Sequence, residues 1–308
     1  MHPVLFKIFG IEIYTYGILV AVGFIVAISI AIKEGERYGI EQIKVIDLSF
    51  FVVISGLLGA RVFFAITEPE LFRDQPLSVL KIWEGGFVWY GGFILAIITC
   101  FIYSVLRKID FIKLLDALAP SAAIGLSIGR WGCFSAGCCY GKITFSKIGV
   151  VFKDMRSIAP LDIPLHPTQI YMSFANYLVF LILMASRDEK ILSIYDLYAI
   201  IFFFLVRFYA YDFPFNPLLD ISIIVIYVSV FFWFKFLLSK ALSPLRNRQF
   251  KGMGASIYLL TYPVFRFIIE FYRDDPRGNV GPFSTSQFIS LFAFLAGVFL
   301  FLFMKNRK

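Results

Sequence analysis

Residues 12 to 33 read EIYTYGILVAVGFIVAISIAIK, and the only charges in the run stand at its two ends, Glu12 and Lys33. A helix of about 20 apolar residues is long enough to cross the roughly 30 Å hydrocarbon core of a bilayer. The pattern recurs near 46 to 66, 87 to 106, 112 to 128, 168 to 186, 193 to 211, 219 to 239, 255 to 271 and 285 to 304. Composition points the same way: 59% of residues are hydrophobic, 19% aromatic, and mean hydropathy is +0.81, more apolar surface than a soluble chain of 308 residues buries. The expected fold is all-α, a polytopic integral membrane protein. Lys7 precedes the first run, but no basic stretch followed by a small-residue cleavage site does, so no removable signal peptide is expected.

Charge orients the spans. Arg107, Lys108 and Lys113, then Lys240, Arg246, Arg248 and Lys251, then Lys305, Arg307 and Lys308 fall on one side, which the positive-inside rule makes cytoplasmic. The N-terminus is then outside and the C-terminus cytoplasmic. Loops near Thr67 to Gly86, Gly129 to His166 and beyond Arg273 face outward. Arg130, Lys142, Lys147, Lys153 and Arg156 crowd the second of these against the usual bias; they either meet anionic headgroups or merely solvate a loop. The net charge of +8 does not separate the two, because cytoplasmic loops supply most of it.

Four arginines stand where apolar helices are expected: Arg61 in GLLGARVFF, Arg130 in GRWGCFSAGCCYGK, Arg207 in FLVRFYA and Arg266 in PVFRFIIEFYR. A charge at the bilayer centre costs roughly 2.5 to 3.5 kcal/mol on the insertion scale, so such residues are candidates for function, here a pocket for an anion. Glu270 follows Arg266 by one helical turn, and a structural ion pair competes with a substrate-binding role. Gly85, Gly86, Gly91 and Gly92 flank Tyr90 in EGGFVWYGG; they either admit a ligand to the backbone or let helices pack. His166 opens HPTQIYMS, where Pro167 suits a first helical turn, and it is a capping residue or a catalyst. Cys133, Cys138 and Cys139 face an outer compartment that allows a disulfide, while Cys100 sits in an apolar run as packing. The spacing of the three matches no paired CxxC pattern, so no metal site is expected; tight packing of a glycine-rich turn is their expected role.

Taken in order, HPVLFKIFGIEIYTYGILVAVGF, GLLGARVFF, EGGFVWYGG, GRWGCFSAGCCYG, HPTQIY and RFIIEFYRDDPRG with PFSTSQFIS resemble the prolipoprotein diacylglyceryl transferases of bacterial inner membranes. The resemblance covers most of the chain except roughly 187 to 250. It implies transfer of a diacylglyceryl group from phosphatidylglycerol to the lipobox cysteine thiol of a prolipoprotein, with a thioether formed and glycerol phosphate released. It also implies about seven family-type transmembrane helices in one domain spanning 1 to 308. The runs 193 to 211 and 219 to 238, joined by DFPFNPL, then read as an inserted helical hairpin followed by a basic cytoplasmic loop. Tyr16, Tyr90, Arg130, Gly141 and Arg266 fall on the family's functional positions, with Gly91 and Gly92 completing the glycine pair after Tyr90; Arg61 and Glu270 join the expected substrate-binding set. Membrane lipids are expected partners; a cofactor and a nucleic acid are not.

The chemistry fits that resemblance. A thiol of pKa about 8.5 is scarcely ionised at neutral pH, so attack on carbon needs a base or a field that favours thiolate. As the carbon–oxygen bond breaks, a singly charged phosphodiester becomes a monoester approaching two charges, so fixed arginines stabilise the transition state more than the ground state. Arg130 and Arg266 are the expected clamp, by bidentate guanidinium geometry. Many family members have histidine where this chain has Tyr90, asparagine at Cys133, glutamate at Cys138 and an acidic residue at Met172. The proton acceptor is therefore open among Tyr90, His166 and a thiol acidified by the arginine field, with Tyr90 preferred as an orienting or relaying group. Two other readings are a noncatalytic lipid-binding or anion-transporting relative, although no repeated halves are seen, and a thiol-redox membrane protein.

Overall fold

The computed structural model describes residues 3–8, 10–73, 75–81, 86–187, 201, 217–246, 249–275 and 278–306. Apart from residue 201, the expected helix at 193 to 211 lies outside the described residues, as do Arg207 and Gly85. Eight α-helices are described: α1 (Thr15–Arg37), α2 (Gln42–Thr67), α3 (Trp89–Leu106), α4 (Phe111–Ala136), α5 (Thr168–Ala185), α6 (Pro217–Arg246), α7 (Met253–Glu270) and α8 (Thr285–Lys305). Three small antiparallel hairpins accompany them: β1 (Val4–Ile8) with β2 (Ile11–Tyr14), β3 (Val150–Val151) with β4 (Pro164–Leu165), and β5 (Asn279–Val280) with β6 (Phe283–Ser284). Six helices, α1 to α5 and α8, are long and apolar enough to cross a bilayer. The protein is an all-α, multi-pass membrane protein.

Two boundaries differ from the sequence reading. Residues 12 to 14 belong to a strand, because IEIY pairs back on VLFKI around Gly10 at φ +82°, and the helix begins only at Thr15. At the other point α4 runs through Arg130 to Ala136 instead of ending near residue 128. Nothing in GRWGCFSA breaks a helix until Gly137, which turns the chain at φ +73°. Arg130 is thus a helical residue and not a loop residue.

Two compact units make up the chain, one from residues 28–118 and one from 1–27 with 119–308. In the first, α2 and α3 touch backbone to backbone. A Cβ added at Gly59 would lie 2.5 Å from the Gly91 carbonyl oxygen, and one at Gly92 would lie 2.7 Å from that of Gly56. Glycine at these positions is what lets the two helices approach, as small residues do in membranes. The core of this unit holds Val45, Leu48, Cys100, Tyr103 and Leu114, so Cys100 packs as expected.

In the second unit α5 is buried on nearly every face, against α7 and against α4. Ser127 and Ser173 exchange hydrogen bonds across the α4–α5 seam, each hydroxyl donating to the other's carbonyl at 2.7 Å. Trp131, Phe134, Phe152 and Leu165 form an aromatic-rich core beneath the loop between α4 and α5. Helix α8 starts on a capping box: the Gln287 amide donates to Ser284 Oγ at 3.2 Å, and the Ser284 amide donates to Gln287 Oε1 at 3.1 Å. Its position against α7 is close enough that a Cβ at Gly297 would meet Leu259 at 2.9 Å.

Candidate functional site

The larger unit brings three sequence motifs to one crossing. Gly141 lies between the segments that carry His166 and Tyr272: its amide donates to the His166 carbonyl at 3.1 Å, and the Lys142 amide donates to the Tyr272 carbonyl at 2.8 Å. A Cβ at 141 would fall 2.6 Å from both carbonyl oxygens, so only glycine fits. The loop before it is fastened from α5, where Thr168 Oγ1 donates to the Cys139 carbonyl at 2.6 Å and Gln169 Nε2 to the Cys138 carbonyl at 2.8 Å. Thr168 and Gln169 are not singled out by the sequence reading. Their signal was the HPTQ motif itself, whose polar pair faces the cysteine loop.

A buried ionic chain lies at the end of α7. Arg266 Nη1 is 2.7 Å from Glu270 Oε2, the pair expected from their spacing, and Arg266 Nη2 donates to Ser286 Oγ at 2.8 Å. Ser284 Oγ donates to Glu270 Oε1 at 3.0 Å. Arg273 Nε stands 3.7 Å from Glu270 and grips Asp275 with two bonds of 2.9 Å. Arg266, Glu270 and Arg273 are all buried. Arg273 is the residue the sequence reading missed; RFIIEFYRDD contains it, but its burial depends on the turn that follows Glu270.

Arg130, in the last two turns of α4, is half-buried, and no carboxylate among the described residues pairs with it. Its Nη1 instead approaches sulfur, 3.7 Å from Cys139 Sγ and 4.0 Å from Cys133 Sγ. Tyr16 and Tyr262 are within electrostatic reach of it. Tyr262 precedes Arg266 by one turn on α7. The Cys133, Cys138 and Cys139 sulfurs all lie within 4.8 Å of one another. Hydrogen bonds from the other two thiols, joined by Arg130 and Arg273, hold the Cys139 thiol well below the ordinary thiol range.

His166 is half-buried beside this crossing. Its Nδ1 is 3.1 Å from the Tyr171 hydroxyl, and its ring meets Tyr272 edge to face at 5.2 Å. Helix α5 begins at Thr168 with Pro167 as its cap, so His166 stands just before the cap and Pro167 one position earlier than expected.

The smaller unit carries Arg61, Tyr90, Gly91 and Gly92. Arg61 is buried and ties the loop after α2 to that helix: Nε donates to the Val79 carbonyl at 3.0 Å, Nη2 to Ser78 at 2.9 Å and Nη1 to Gly86 at 3.3 Å. Phe64 and Phe72 stack under its guanidinium at 5.6 and 5.4 Å. Tyr90 sits in the first turn of α3 with its ring edge-on to Trp89 at 5.5 Å. Gly91 and Gly92 form the contact with α2 described above.

Six helices of spanning length, two of them carrying an arginine inside the span (Arg61 on α2, Arg130 on α4), and a buried chain of arginines and carboxylates at the end of α7 define a class: multi-pass membrane proteins with ionised groups in the interior. The model of one such family, prolipoprotein diacylglyceryl transferase, matches residues 3–233 and 217–303, and this chain belongs to that family. A phosphatidylglycerol–prolipoprotein diacylglyceryl transferase of Clostridium tetani is 34% identical over 308 residues, the whole of both chains. Phosphatidylglycerol–prolipoprotein diacylglyceryl transferase 2 of Clostridium perfringens is 31% identical over 98% of this chain and 94% of its own. The corresponding transferase of Clostridioides difficile is 29% identical over 100% of this chain and 97% of its own.

Proposed function

We infer that this protein transfers the diacylglyceryl group of phosphatidylglycerol to the lipobox cysteine thiol of prolipoproteins. A thioether forms and glycerol phosphate leaves, the first step of bacterial lipoprotein maturation. The observation that carries this is end-to-end similarity to phosphatidylglycerol–prolipoprotein diacylglyceryl transferases at 34% identity, with no part of either chain left over.

The roles of individual side chains are our own reading. Arg130 and Arg266 hold the phosphate, and Arg273 acts with them through Glu270. The leaving group gains charge as its ester bond breaks, so cations fixed in a low-dielectric interior favour the transition state over the bound lipid. Glu270 partly neutralises Arg266 before substrate arrives, which lowers the cost of keeping a guanidinium buried. Tyr90 orients the incoming thiol or relays its proton, with His166 the other titratable group for that task. Tyr16, Arg61, Gly91, Gly92 and Gly141 shape the lipid and peptide paths, Gly141 by joining three motifs and Arg61 by fixing the loop after α2.

The same reading completes the architecture. About seven helices form the transferase common to the family, and α6 (Pro217–Arg246) is an addition to them. The chain lies in the bacterial plasma membrane with its N-terminus outside. Phosphatidylglycerol enters from the bilayer and the peptide from the outer face. The test is a purified preparation given phosphatidylglycerol and a lipobox peptide bearing either cysteine or serine. A diacylglyceryl adduct on the cysteine peptide alone, with equimolar glycerol phosphate, is expected. Bound phosphatidylglycerol without adduct would make the protein a lipid-binding relative instead.

A further inference from the structure

We propose that Cys133, Cys138 and Cys139 form a three-thiolate site for a thiophilic divalent cation of the zinc type, whose open fourth position takes the lipobox sulfur. The proposal rests on the transferase reading for its fourth ligand and on this chain's own geometry for the other three. The sulfurs lie within 4.8 Å of one another. In a tetrahedral zinc–thiolate site with bonds of about 2.3 Å, neighbouring sulfurs are about 3.8 Å apart, so the trio needs to close by only about 1 Å.

The frame that holds them is built, not incidental. Cys133 is fixed in the last turn of α4, and the chain then reverses through Gly137 at φ +73°. Cys139 itself adopts φ +62°, a left-handed conformation that costs a non-glycine residue energy and persists only where the surroundings enforce it. Here Thr168 and Gln169 enforce it by capturing the carbonyls of Cys139 and Cys138. The result is that residues one and six positions apart in sequence present their sulfurs to one point. Three thiolates and a divalent cation leave one net negative charge, and Arg130 Nη1, at 3.7 and 4.0 Å from two of the sulfurs, is placed to offset it. Soft thiolate ligands select zinc-like cations over magnesium or calcium.

Three protein ligands with a vacant fourth position are the pattern of reactive zinc sites, whereas structural sites close the tetrahedron with a fourth protein ligand. Among the described residues no fourth histidine, cysteine or carboxylate joins the three. A lipobox thiol entering that position releases its proton to solvent and binds as thiolate. Its sulfur lone pair forms the bond to the glyceryl carbon while the carbon–oxygen bond breaks, and that bond's electron pair leaves on the phosphate oxygen of glycerol phosphate. The cation is unchanged in oxidation state. Such a site supplies thiolate without a histidine base, in a chain that has tyrosine at position 90.

The experiment is metal analysis of the full-length protein in detergent, followed by cobalt substitution. About one zinc per chain is expected, and the cobalt form should show the thiolate charge-transfer band and intense tetrahedral d–d bands. The d–d bands should shift on addition of the cysteine lipobox peptide and stay fixed with the serine peptide. The C133S/C138S/C139S triple variant should lose metal and the cobalt bands. Should that variant fail to fold, the comparison of the two peptides on the wild-type cobalt form decides alone. Wild-type protein that binds neither metal yet lipidates the peptide at full rate would overturn the metal site and leave the transferase intact. A cobalt spectrum that responds equally to both peptides would overturn the role of the fourth position.

Discussion

The amide of Gly141 and the carbonyl of His166 are hydrogen-bonded at 3.1 Å, and that carbonyl oxygen lies 2.6 Å from where a Cβ on residue 141 would sit. The loop after α4 and the segment before α5 are thereby locked together, with the segment after α7 closing on the opposite side through the Tyr272 carbonyl. Gly141→Ala must push two backbones apart. We expect a loss of about 1 to 3 kcal/mol, the usual cost of forcing a methyl into a packed interior. Thermal unfolding in detergent measures it, and lipidation should fall with it because Arg273 and the cysteine loop are displaced.

Glu270 balances two buried arginines. Glu270→Gln leaves Arg266 and Arg273 without it, and breaking a buried pair from one side costs about 3 to 5 kcal/mol. The contrast is Asp47, which meets Arg107 at 3.3 Å with both side chains well exposed. Asp47→Asn should cost under about 1 kcal/mol. Parallel thermal melts of the two variants, with melting temperatures clearly separated, check the difference.

Thr168 and Gln169 hold the cysteine loop by its carbonyls. Thr168→Val removes one hydrogen bond to the Cys139 carbonyl and should cost about 1 kcal/mol of stability. Its local consequence is larger, because the left-handed turn at Cys139 relaxes. Faster alkylation of the loop thiols by a maleimide than in the wild type is the expected result; unchanged rates would show that the turn holds without Thr168.

Tyr90→Phe keeps the ring and removes the hydroxyl. If that hydroxyl orients or relays the thiol proton, kcat falls by about 10²-fold, the lower range for loss of an acid–base group. KM for phosphatidylglycerol should change little. His166→Gln should act more weakly, since His166 Nδ1 already faces the Tyr171 hydroxyl at 3.1 Å. Steady-state kinetics of both variants separates the two groups.

Much of this was legible in the sequence, for reasons that differ by feature. Apolar runs gave the helices, since hydrophobic length is local information. The ion pair of Arg266 with Glu270 follows from one turn of spacing alone. For Gly91 and Gly92 the sequence allows either a ligand or a packing use, and the contact with Gly56 and Gly59 is a packing use. The end of α4 was misplaced because a polar, cysteine-rich stretch looks like loop, although only Gly137 ends the helix. Arg61 resembled a lone intramembrane charge; the carbonyls that occupy it lie 17 to 25 residues away in a loop whose path no periodicity reveals. Convergence of the three sulfurs was hidden for a similar cause. It depends on a positive φ at Cys139 and on two side chains from another helix, and neither is encoded in cysteine spacing.

Half-buried Arg130 and buried Arg266 together stabilise the departing phosphate in the proposed mechanism. Its most direct test is lipidation by Arg130→Ala and Arg266→Ala, each purified from the membrane in folded form and supplied with phosphatidylglycerol and the cysteine lipobox peptide. We predict that the folded fraction of each loses at least about 10²-fold in kcat, as removal of an oxyanion-stabilising group does, with Arg266→Ala also less stable because Glu270 loses its partner at 2.7 Å. Normal turnover in both variants would contradict the clamp and place the stabilising charge elsewhere.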